Sequence, residues 1–322
     1  MTPCPANRRR VAVIYNPAAG ARQRGRLRGL LKRLKAAGHE ILLRRTEGPG
    51  DATRIAGALD PASVDVVLAA GGDGTINEVA NGLIGRSLPL AIAPLGTANV
   101  LAWELGHGLG VRRAATTVAW GDVVRIRPAR AGTRGFLLMA SAGLDARVVA
   151  GVDSALKRRI GKAAYALAAV REIFRATPAP IEVEIDGVPE RAALVVATHA
   201  AHYAGPFIIA RDARLADDRL TVVLLKDGRK RSLILCGLAL LLNRIPRLQS
   251  AEVRRARSVV FAGPVGEPVQ SDGDLIGRTP LSVGVGEAEL SLIVADPARV
   301  ASVRPTESKE SAALDRHSPF NS

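Results

Sequence analysis

The sequence has few cysteines and few aromatic residues. Two cysteines among 322 residues argue against a disulfide framework and against a cysteine-ligated zinc site. Aromatic residues make up 3% of the chain, which leaves few stacking platforms for single-stranded nucleic acid. We find no helix-turn-helix, zinc-finger or RNP signature. We therefore expect no nucleic-acid partner.

The chain also lacks a hydrophobic segment long enough to cross a bilayer. The most apolar segment, SLILCGLALLLNRI at 232–245, has an uncharged run that falls short of the ~20 residues a spanning helix requires. It is typical of a packed or interfacial helix, with Lys230, Arg231 and Arg244 at its ends. The N-terminus lacks the apolar stretch and the cleavage site of a signal peptide. We expect a cytoplasmic protein with no transmembrane segment.

Acidic residues are outnumbered by basic ones. The chain has 45 Lys and Arg against 30 Asp and Glu, a formal charge of +15. A positive field concentrates anionic partners, so an anionic membrane or a phosphorylated substrate fits this charge. An arginine-rich composition inherited from a GC-rich genome is the alternative explanation. The length is sufficient for two domains, and 48% hydrophobic residues indicate a globular fold.

Residues 1–125 alternate between strand-like and helix-like segments. This alternation predicts an α/β domain with a parallel sheet. The predicted strands are RVAVIYNP, EILLRRT, VDVVLAA and PLAIAP, and the predicted helices are QRGRLRGLLKRLKAAGH, DATRIAGAL and TINEVANGLI.

Residues 126–300 follow a different pattern, with many short strands separated by Gly, Pro and Asp turns. They predict a mainly antiparallel β domain, a sandwich or an open barrel, with one helix around GKAAYALAAVREIFR. GFLLMASAG, IEVEIDG, RAALVVATHA, PFIIARDA, LTVVLL, RSVVFAG, LSVGV and LSLIVA are the predicted strands. The polar tail at 303–322 is expected to be disordered. Two domains leave room for an active site in the cleft between them.

A glycine-rich loop, GGDGT at 71–75, joins a predicted buried strand to a predicted helix. Gly71, Gly72 and Gly74 let the backbone N–H groups approach phosphate oxygens, and Thr75 could cap a helix that begins at Ile76. Neither a Walker loop nor a dinucleotide-binding fingerprint is present. Asp73 would repel a polyphosphate unless a cation bridged them or the carboxylate accepted a proton. The loop therefore indicates Mg²⁺-dependent phosphate chemistry.

Three segments stand in succession, namely NPAAG at 16–20, GGDGTINEVANGL at 71–83 and PLGTAN at 94–99. In this order they resemble the signatures of the diacylglycerol kinase catalytic-domain family, which sphingosine, ceramide and bacterial lipid kinases share. The resemblance continues through PFIIARDARLADDRLTVVLL and VQSDGD. It implies a kinase that transfers the γ-phosphate of ATP to a lipid hydroxyl at an anionic membrane surface, with peripheral attachment.

The resemblance also implies which residues bind nucleotide and metal. The matching nucleotide positions are Thr46, Gly71, Gly72, Asp73, Gly74, Thr75, Ile76, Asn77 and Thr97. Thr97 could equally cap the helix that follows it. In the related bacterial kinases one aspartate and two carbonyls hold Mg²⁺, and these match Asp218, Leu215 and Leu220. Arg219 stands where the family usually has glycine.

The proton acceptor of the reaction has three candidates. The family pattern is Asp-Gly-Glu, and its last acid matches Asp274 in SDGD, which is one methylene shorter than glutamate. Asp272 and Asp73 are the alternatives, since a positioned carboxylate can accept the proton of a lipid hydroxyl. His199 and His202 are interpreted as pocket or turn residues.

Two other functions fit the same residues. One is a soluble-substrate kinase of the NAD kinase and phosphofructokinase-like superfamily, which shares the Gly-Gly-Asp-Gly loop. The other is a catalytically silent lipid- or nucleotide-binding regulator, although Asp73, Asp218, Asp272 and Asp274 are all present. The identity of the lipid and the oligomeric state are left open by the sequence.

Overall fold

The computed structural model describes residues 9–17, 21–152, 162–174, 179–245 and 248–301. The expected disordered tail at 303–322 and three residues of the NPAAG segment, 18–20, lie outside these ranges. Within the described ranges, none of the helices combines the length and the apolar character needed to cross a bilayer.

The first part of the chain alternates strands and helices, as the sequence predicts. In chain order the elements are β1 (Arg10–Tyr15), α1 (Ala21–Ala36), β2 (Glu40–Arg45), α2 (Asp51–Gly57), β3 (Val66–Gly71), α3 (Asp73–Leu83), β4 (Leu90–Pro94), α4 (Val100–Glu104), α5 (Val111–Trp120) and β5 (Asp122–Ile126).

The second part consists mostly of short strands. Its elements are β6 (Ala129–Ala131), β7 (Arg134–Phe136), β8 (Met139–Gly143), α6 (Leu144–Gly151), α7 (Lys162–Phe174), β9 (Ile181–Ile185), β10 (Val188–Ala192), β11 (Leu194–Thr198), β12 (His202–Tyr203), β13 (Phe207–Ile208), β14 (Leu220–Leu225), α8 (Lys230–Leu241), β15 (Ala251–Ala256), β16 (Ser258–Gly263), β17 (Pro268–Ser271), β18 (Asp274–Arg278), β19 (Leu281–Val285) and β20 (Leu290–Val294).

The first sheet is mostly parallel and is covered by helices on both faces. Its strand order is β2-β1-β3-β4-β20-β5, and only the pair of β20 and β5 is antiparallel. Alternate residues of β1 point to opposite faces, so Val11 and Val13 pack with α1 and α5, whereas Ala12 and Ile14 pack with α2 and α3. The predicted α/β domain with a parallel sheet is confirmed.

The second domain is an antiparallel sandwich. One sheet has the order β10-β9-β16-β19-β6-β7 and the other β15-β14-β11-β8-β17-β18. Their facing residues form one buried cluster that includes Phe136, Phe261 and Val222. Val196 and Val223 point from the second sheet to its other face and join the core shared with the first domain. The predicted antiparallel β domain is confirmed, and of the two expected forms it is the sandwich.

Two differences from the sequence prediction concern where strands divide and which sheet they join. The segment GFLLMASAG was expected to be one strand, but it divides into β7 and β8, which belong to different sheets. The predicted strand LSLIVA contains β20, which lies in the first sheet although its residues fall in the 126–300 range assigned to the second domain. An apolar strand pattern shows that a strand is buried but does not identify its partner, which explains the second difference.

Candidate active site

The two glycine-containing loops meet at the carboxyl edge of the first sheet. The loop after β3 and the loop after β4 lie so close that a Cβ atom on Gly96 would be 2.4 Å from the Cα atom of Gly72. The Leu95 N–H donates to the Gly71 carbonyl oxygen at 2.8 Å. Glycine is therefore required at this contact, where backbone packs directly on backbone.

Helix α3 begins at Asp73, earlier than predicted. Its N-cap is Gly72, in an extended conformation, and the first-turn N–H groups of the helix have no acceptor within the helix. Thr75 is therefore not the N-cap, and that expectation is wrong. Its side chain instead lies against Gly71, where an added Cβ would be 2.6 Å from the Thr75 Cβ atom. Ile76 is part of the core and contributes only its backbone to this turn.

The Asp73 carboxylate links the glycine loop to α4. Its Oδ1 atom accepts the Leu101 N–H at 3.3 Å. Burial raises the pKa of Asp73, and the N–H groups of Leu101, Val100 and Asn99 oppose that shift. The carboxylate thus lies at the junction of the two loops.

The PLGTAN turn is closed by Asn99. This residue has a left-handed backbone (φ 50°) and is the N-cap of α4. Its Oδ1 atom accepts the Gly96 N–H at 2.9 Å and its Nδ2 atom donates to the Gly96 carbonyl oxygen at 2.8 Å. Thr97 is exposed and is not the N-cap, so its possible capping role is excluded.

Two other predicted nucleotide residues are buried. Thr46 follows β2, and both its N–H and its hydroxyl point to the Tyr15 carbonyl oxygen, at 3.0 and 3.4 Å. Asn77 is 2% exposed and accepts a hydrogen bond from Asn81 at 3.2 Å. Its Nδ2 atom has no partner among the described residues. Both lie near the loop edge, and their contact with nucleotide stays a prediction.

Asp272 occupies the turn of the β17–β18 hairpin and binds backbone. Its carboxylate accepts the N–H groups of Leu137, Leu138 and Met139 at 3.0, 3.1 and 2.9 Å. Leu137 and Leu138 connect β7 to β8 and Met139 is the first residue of β8, so Asp272 binds the backbone at the point where the predicted strand divides. Burial raises the pKa of Asp272 to about 6, and the charge of Asp73 adds to this effect against the opposing N–H groups.

Asp274 lies over the glycine loop. Its Oδ2 atom is 3.8 Å from the point where a Cβ on Gly74 would stand. The side chain is 46% exposed and forms an ion pair with Arg134 at 3.1 Å. Asp274 is therefore the partly exposed acid of this hairpin, whereas the Asp272 carboxylate accepts three backbone N–H groups.

A pair of hydrogen bonds attaches α3 to β7. The Asn81 Nδ2 atom donates to the Gly135 carbonyl oxygen and the Gly135 N–H donates to Asn81 Oδ1, both at 2.9 Å. This contact brings Arg134 next to the loop. Sequence reasoning did not single out Asn81, Asn99 or Arg134. The two asparagines stand inside the quoted motifs, whereas nothing local distinguishes Arg134 from other surface arginines.

A buried polar network contacts the turn of the β17–β18 hairpin. Asp145 accepts hydrogen bonds from Ser141 at 2.5 Å, from Gln270 at 2.8 Å and from the Tyr203 hydroxyl. The Gln270 Oε1 atom accepts the Gly273 N–H at 2.9 Å. Burial, with the Asp145 charge as a further cause, raises the pKa of Tyr203 well above its ordinary value. The network restrains the turn that carries both acids.

The predicted metal loop contains one exposed and one buried acid. Asp217 accepts the Arg214 N–H at 2.9 Å and pairs with Arg255 at 3.0 Å, whereas Asp218 is exposed. Leu215 and Leu220 are buried on either side. An exposed carboxylate in a tight loop suits a hard cation such as Mg²⁺. No cluster of three acidic, histidine or cysteine side chains occurs in the described part of the chain.

The contacts of the two histidines do not include the candidate proton acceptor Asp274. His202 donates its N–H to Glu104 and pairs with it through Nδ1 at 2.7 Å. His199 is 1% exposed, and burial lowers its pKa to about 4. His202 thus joins the second domain to α4, and His199 lies in the core.

Comparison with known proteins covers both domains. A family model for the diacylglycerol kinase catalytic domain matches residues 10–131. A model for the YegS C-terminal NAD kinase beta sandwich-like domain matches residues 139–294. A diacylglycerol kinase of Staphylococcus aureus is 30% identical over 226 residues, 69% of this chain and 72% of the relative. The chain belongs to the diacylglycerol kinase family.

Other diacylglycerol kinases show the same relationship. That of Staphylococcus saprophyticus is 29% identical over 280 residues, covering 85% of this chain and 91% of the relative. That of Bacillus subtilis is 34% identical over 183 residues, 56% of this chain and 60% of the relative. A crystal structure of a candidate diacylglycerol kinase from Bacillus anthracis has a TM-score of 0.73 at 25% identity and covers 94% of this chain and 99% of its own. Membership of this diacylglycerol kinase family supports a lipid kinase.

Proposed function

We propose that this protein is an ATP-dependent lipid kinase that transfers the γ-phosphate of ATP to a lipid hydroxyl. The observation that carries the proposal is the position of the Asp274 carboxylate over Gly74, where a proton acceptor from one domain faces a glycine loop from the other. The reaction would take place between the two loops of the first sheet and the β17–β18 hairpin.

The first domain would hold the phosphates. The first-turn N–H groups of α3 point outward at the positive end of an 11-residue helix, an arrangement that binds anions. The close contact of Gly72 and Gly96 keeps the loop surface free of side chains. The proposed nucleotide residues remain Thr46, the loop 71–77 and Thr97, and Arg134 adds a positive charge beside the loop.

Asp274 would accept the proton. As the lipid oxygen forms its bond to the γ-phosphorus, the hydroxyl proton passes to the Asp274 carboxylate, and the bond from phosphorus to the bridging oxygen breaks to release ADP. Asp73 and Asp272 are less suited to this role, because each already accepts backbone N–H groups.

Magnesium would neutralise part of the negative charge of the phosphates. Asp218 is the exposed carboxylate that could hold one ion, with the carbonyl oxygens of Leu215 and Leu220 as the other proposed ligands. Bound Mg²⁺ supplies positive charge that offsets the phosphates. We place the enzyme on the cytoplasmic side of an anionic membrane, attached peripherally.

The test is a transfer assay with separate lipids. Purified protein is incubated with γ-labelled ATP, Mg²⁺ and mixed micelles that contain diacylglycerol, ceramide, sphingosine or phosphatidylglycerol. We expect organic-extractable label with one of them, and label formed at least roughly 100-fold more slowly with protein carrying Asp274→Asn. Label in a water-soluble acceptor such as NAD, with none in any lipid, would contradict the proposal and favour the kinases to which the β-sandwich domain is also similar.

A further inference from the structure

Helix α8 exposes its most apolar face to solvent. Four large aliphatic side chains of α8 and that of Leu242, directly after the helix, are between 43% and 64% exposed; the four are Ile234, Leu235, Leu238 and Leu241. Their spacing places them on one side of the helix. We call this set the apolar stripe. An exposed stripe of this kind is the reverse of the usual arrangement, in which the apolar face packs on the core.

The orientation of the helix is fixed by contacts on its other side. Leu233 and Ala239 are buried, and Leu233 packs with Ile173 of α7. Just beyond the helix, Asn243 Oδ1 accepts the Ile208 N–H at 2.6 Å. Because these contacts hold the side of the helix opposite the stripe, the stripe cannot turn toward the core without breaking them.

Positive charges flank the stripe. Lys230 and Arg231 precede Ile234 by four and three residues, so they lie on the same side of the helix, and Arg244 follows the other end. No acidic residue occurs between Asp227 and Glu252 in the sequence. Arg229 is neutralised by Asp227 at 2.9 Å. Long basic side chains next to an apolar helix face suit the boundary between lipid headgroups and acyl chains.

We propose that the apolar stripe, with Lys230, Arg231 and Arg244, is the surface that inserts into an anionic lipid bilayer. The choice of a bilayer as the occupant rests on the proposed lipid-kinase function together with this charge complementarity. Neighbouring α7 also exposes Val170 and Phe174, which adds apolar area on the element packed beside α8. The helix would lie in the plane of the membrane, with its buried face still on the protein.

The experiment is vesicle co-flotation of the full chain without ATP. Vesicles of phosphatidylcholine are compared with vesicles that also contain phosphatidylglycerol. Leu238→Glu should weaken binding by roughly tenfold or more, because a charge replaces an inserted apolar group. Arg231→Ala should reduce binding to the anionic vesicles alone. The matched control is Val265→Glu, since Val265 is 84% exposed in the turn between β16 and β17 and is not part of the apolar stripe, and its binding should equal that of the wild type.

A variant that binds vesicles more strongly than the wild type controls for loss of binding through misfolding. Leu238→Trp should strengthen flotation, since tryptophan favours the membrane interface. Equal flotation of the wild type and all Leu238 variants would overturn the proposal. It would also be overturned if Leu238→Glu changed only the oligomeric state seen by light scattering, because the stripe would then bind a second copy of the chain.

A separate readout distinguishes this proposal from the proposed function. With a short-chain diacylglycerol that is soluble as monomers, Leu238→Glu should retain wild-type turnover while losing activity on vesicle lipid. If the wild type transfers no phosphate to any lipid but the flotation differences persist, the docking surface stands and the kinase assignment fails. If the wild type phosphorylates lipid normally but flotation is the same for the wild type and all Leu238 variants, the kinase assignment stands and the docking surface fails.

Discussion

Three aspartates meet between the domains, and each has different neighbours. Asp73 bonds to the start of α4, Asp272 to three N–H groups between β7 and β8, and Asp274 to the partly exposed Arg134. These contacts occupy Asp73 and Asp272 with backbone N–H groups and leave Asp274 partly exposed, which is why we propose Asp274 as the proton acceptor.

Replacement of Asp272 and Asp274 by alanine should separate these roles. Asp272→Ala leaves three backbone donors without their acceptor and should lower the free energy of unfolding by roughly 2–4 kcal/mol. Asp274→Ala removes a half-exposed ion pair and should change it by less than about 1 kcal/mol. Urea denaturation of both variants measures the difference. Similar losses in both would contradict the assigned roles.

The buried His199 should make stability depend on pH. Burial lowers its pKa from 6.5 to about 4, so the unfolded chain binds more protons in that interval. Relative to its value above pH 6.5, the free energy of unfolding should fall as the pH drops toward 4, and His199 accounts for up to roughly 3 kcal/mol of this fall.

The check compares the unfolding free energy of the wild type and His199→Gln across this pH range. The variant should show a shallower fall on acidification, although His107, whose pKa is also lowered to about 4 by burial, continues to contribute. An unchanged slope would show that His199 is not buried in its neutral form.

At the scale of helices, strands and loops, the contact between the two glycine loops should tolerate substitution poorly. Gly96→Ala would place a Cβ 2.4 Å from the Gly72 Cα atom, so one loop has to move. We expect weaker ATP binding and a loss of at least about 1–3 kcal/mol of stability. Gly25→Ala in α1 is the control, since nothing lies within 4 Å of its added Cβ. Calorimetric titration that finds equal ATP binding in both variants would contradict this account.

The sequence predicted which strands and helices are present better than it predicted where they begin and end. The apolar runs of β1, β3 and β4 are unambiguous because both faces of a covered parallel sheet are buried. The start of α3 was predicted at Ile76 because Thr75 resembles a cap, whereas the helix begins at Asp73. The break between β7 and β8 depends on Asp272, more than 130 residues away, and no local pattern contains that information.

At the scale of the whole molecule, the first sheet is completed by a strand that lies close to the end of the described residues. Strand β20 lies between β4 and β5 and pairs with β5 over five residues. The ordered motifs of the first domain could be read from the sequence, but this return of the chain could not, since strand pairing over about 200 residues leaves no local signal.

A fragment that ends at Ala131 should therefore be unstable. It contains the region matched by the catalytic-domain model but lacks β20, so β4 loses its neighbour and β5 is detached. We expect a broad, non-cooperative thermal transition by circular dichroism, in contrast to the full chain. A cooperative transition for the fragment would show that the first domain folds without β20.

The most direct test of the central claim measures ATP binding and turnover together in Asp274→Asn. If Asp274 is the proton acceptor, the variant should bind ATP within about twofold of the wild type and transfer phosphate to lipid at least roughly 100-fold more slowly. Asp122→Asn, an exposed acid on β5, should behave as the wild type. Undiminished turnover in Asp274→Asn would contradict the account.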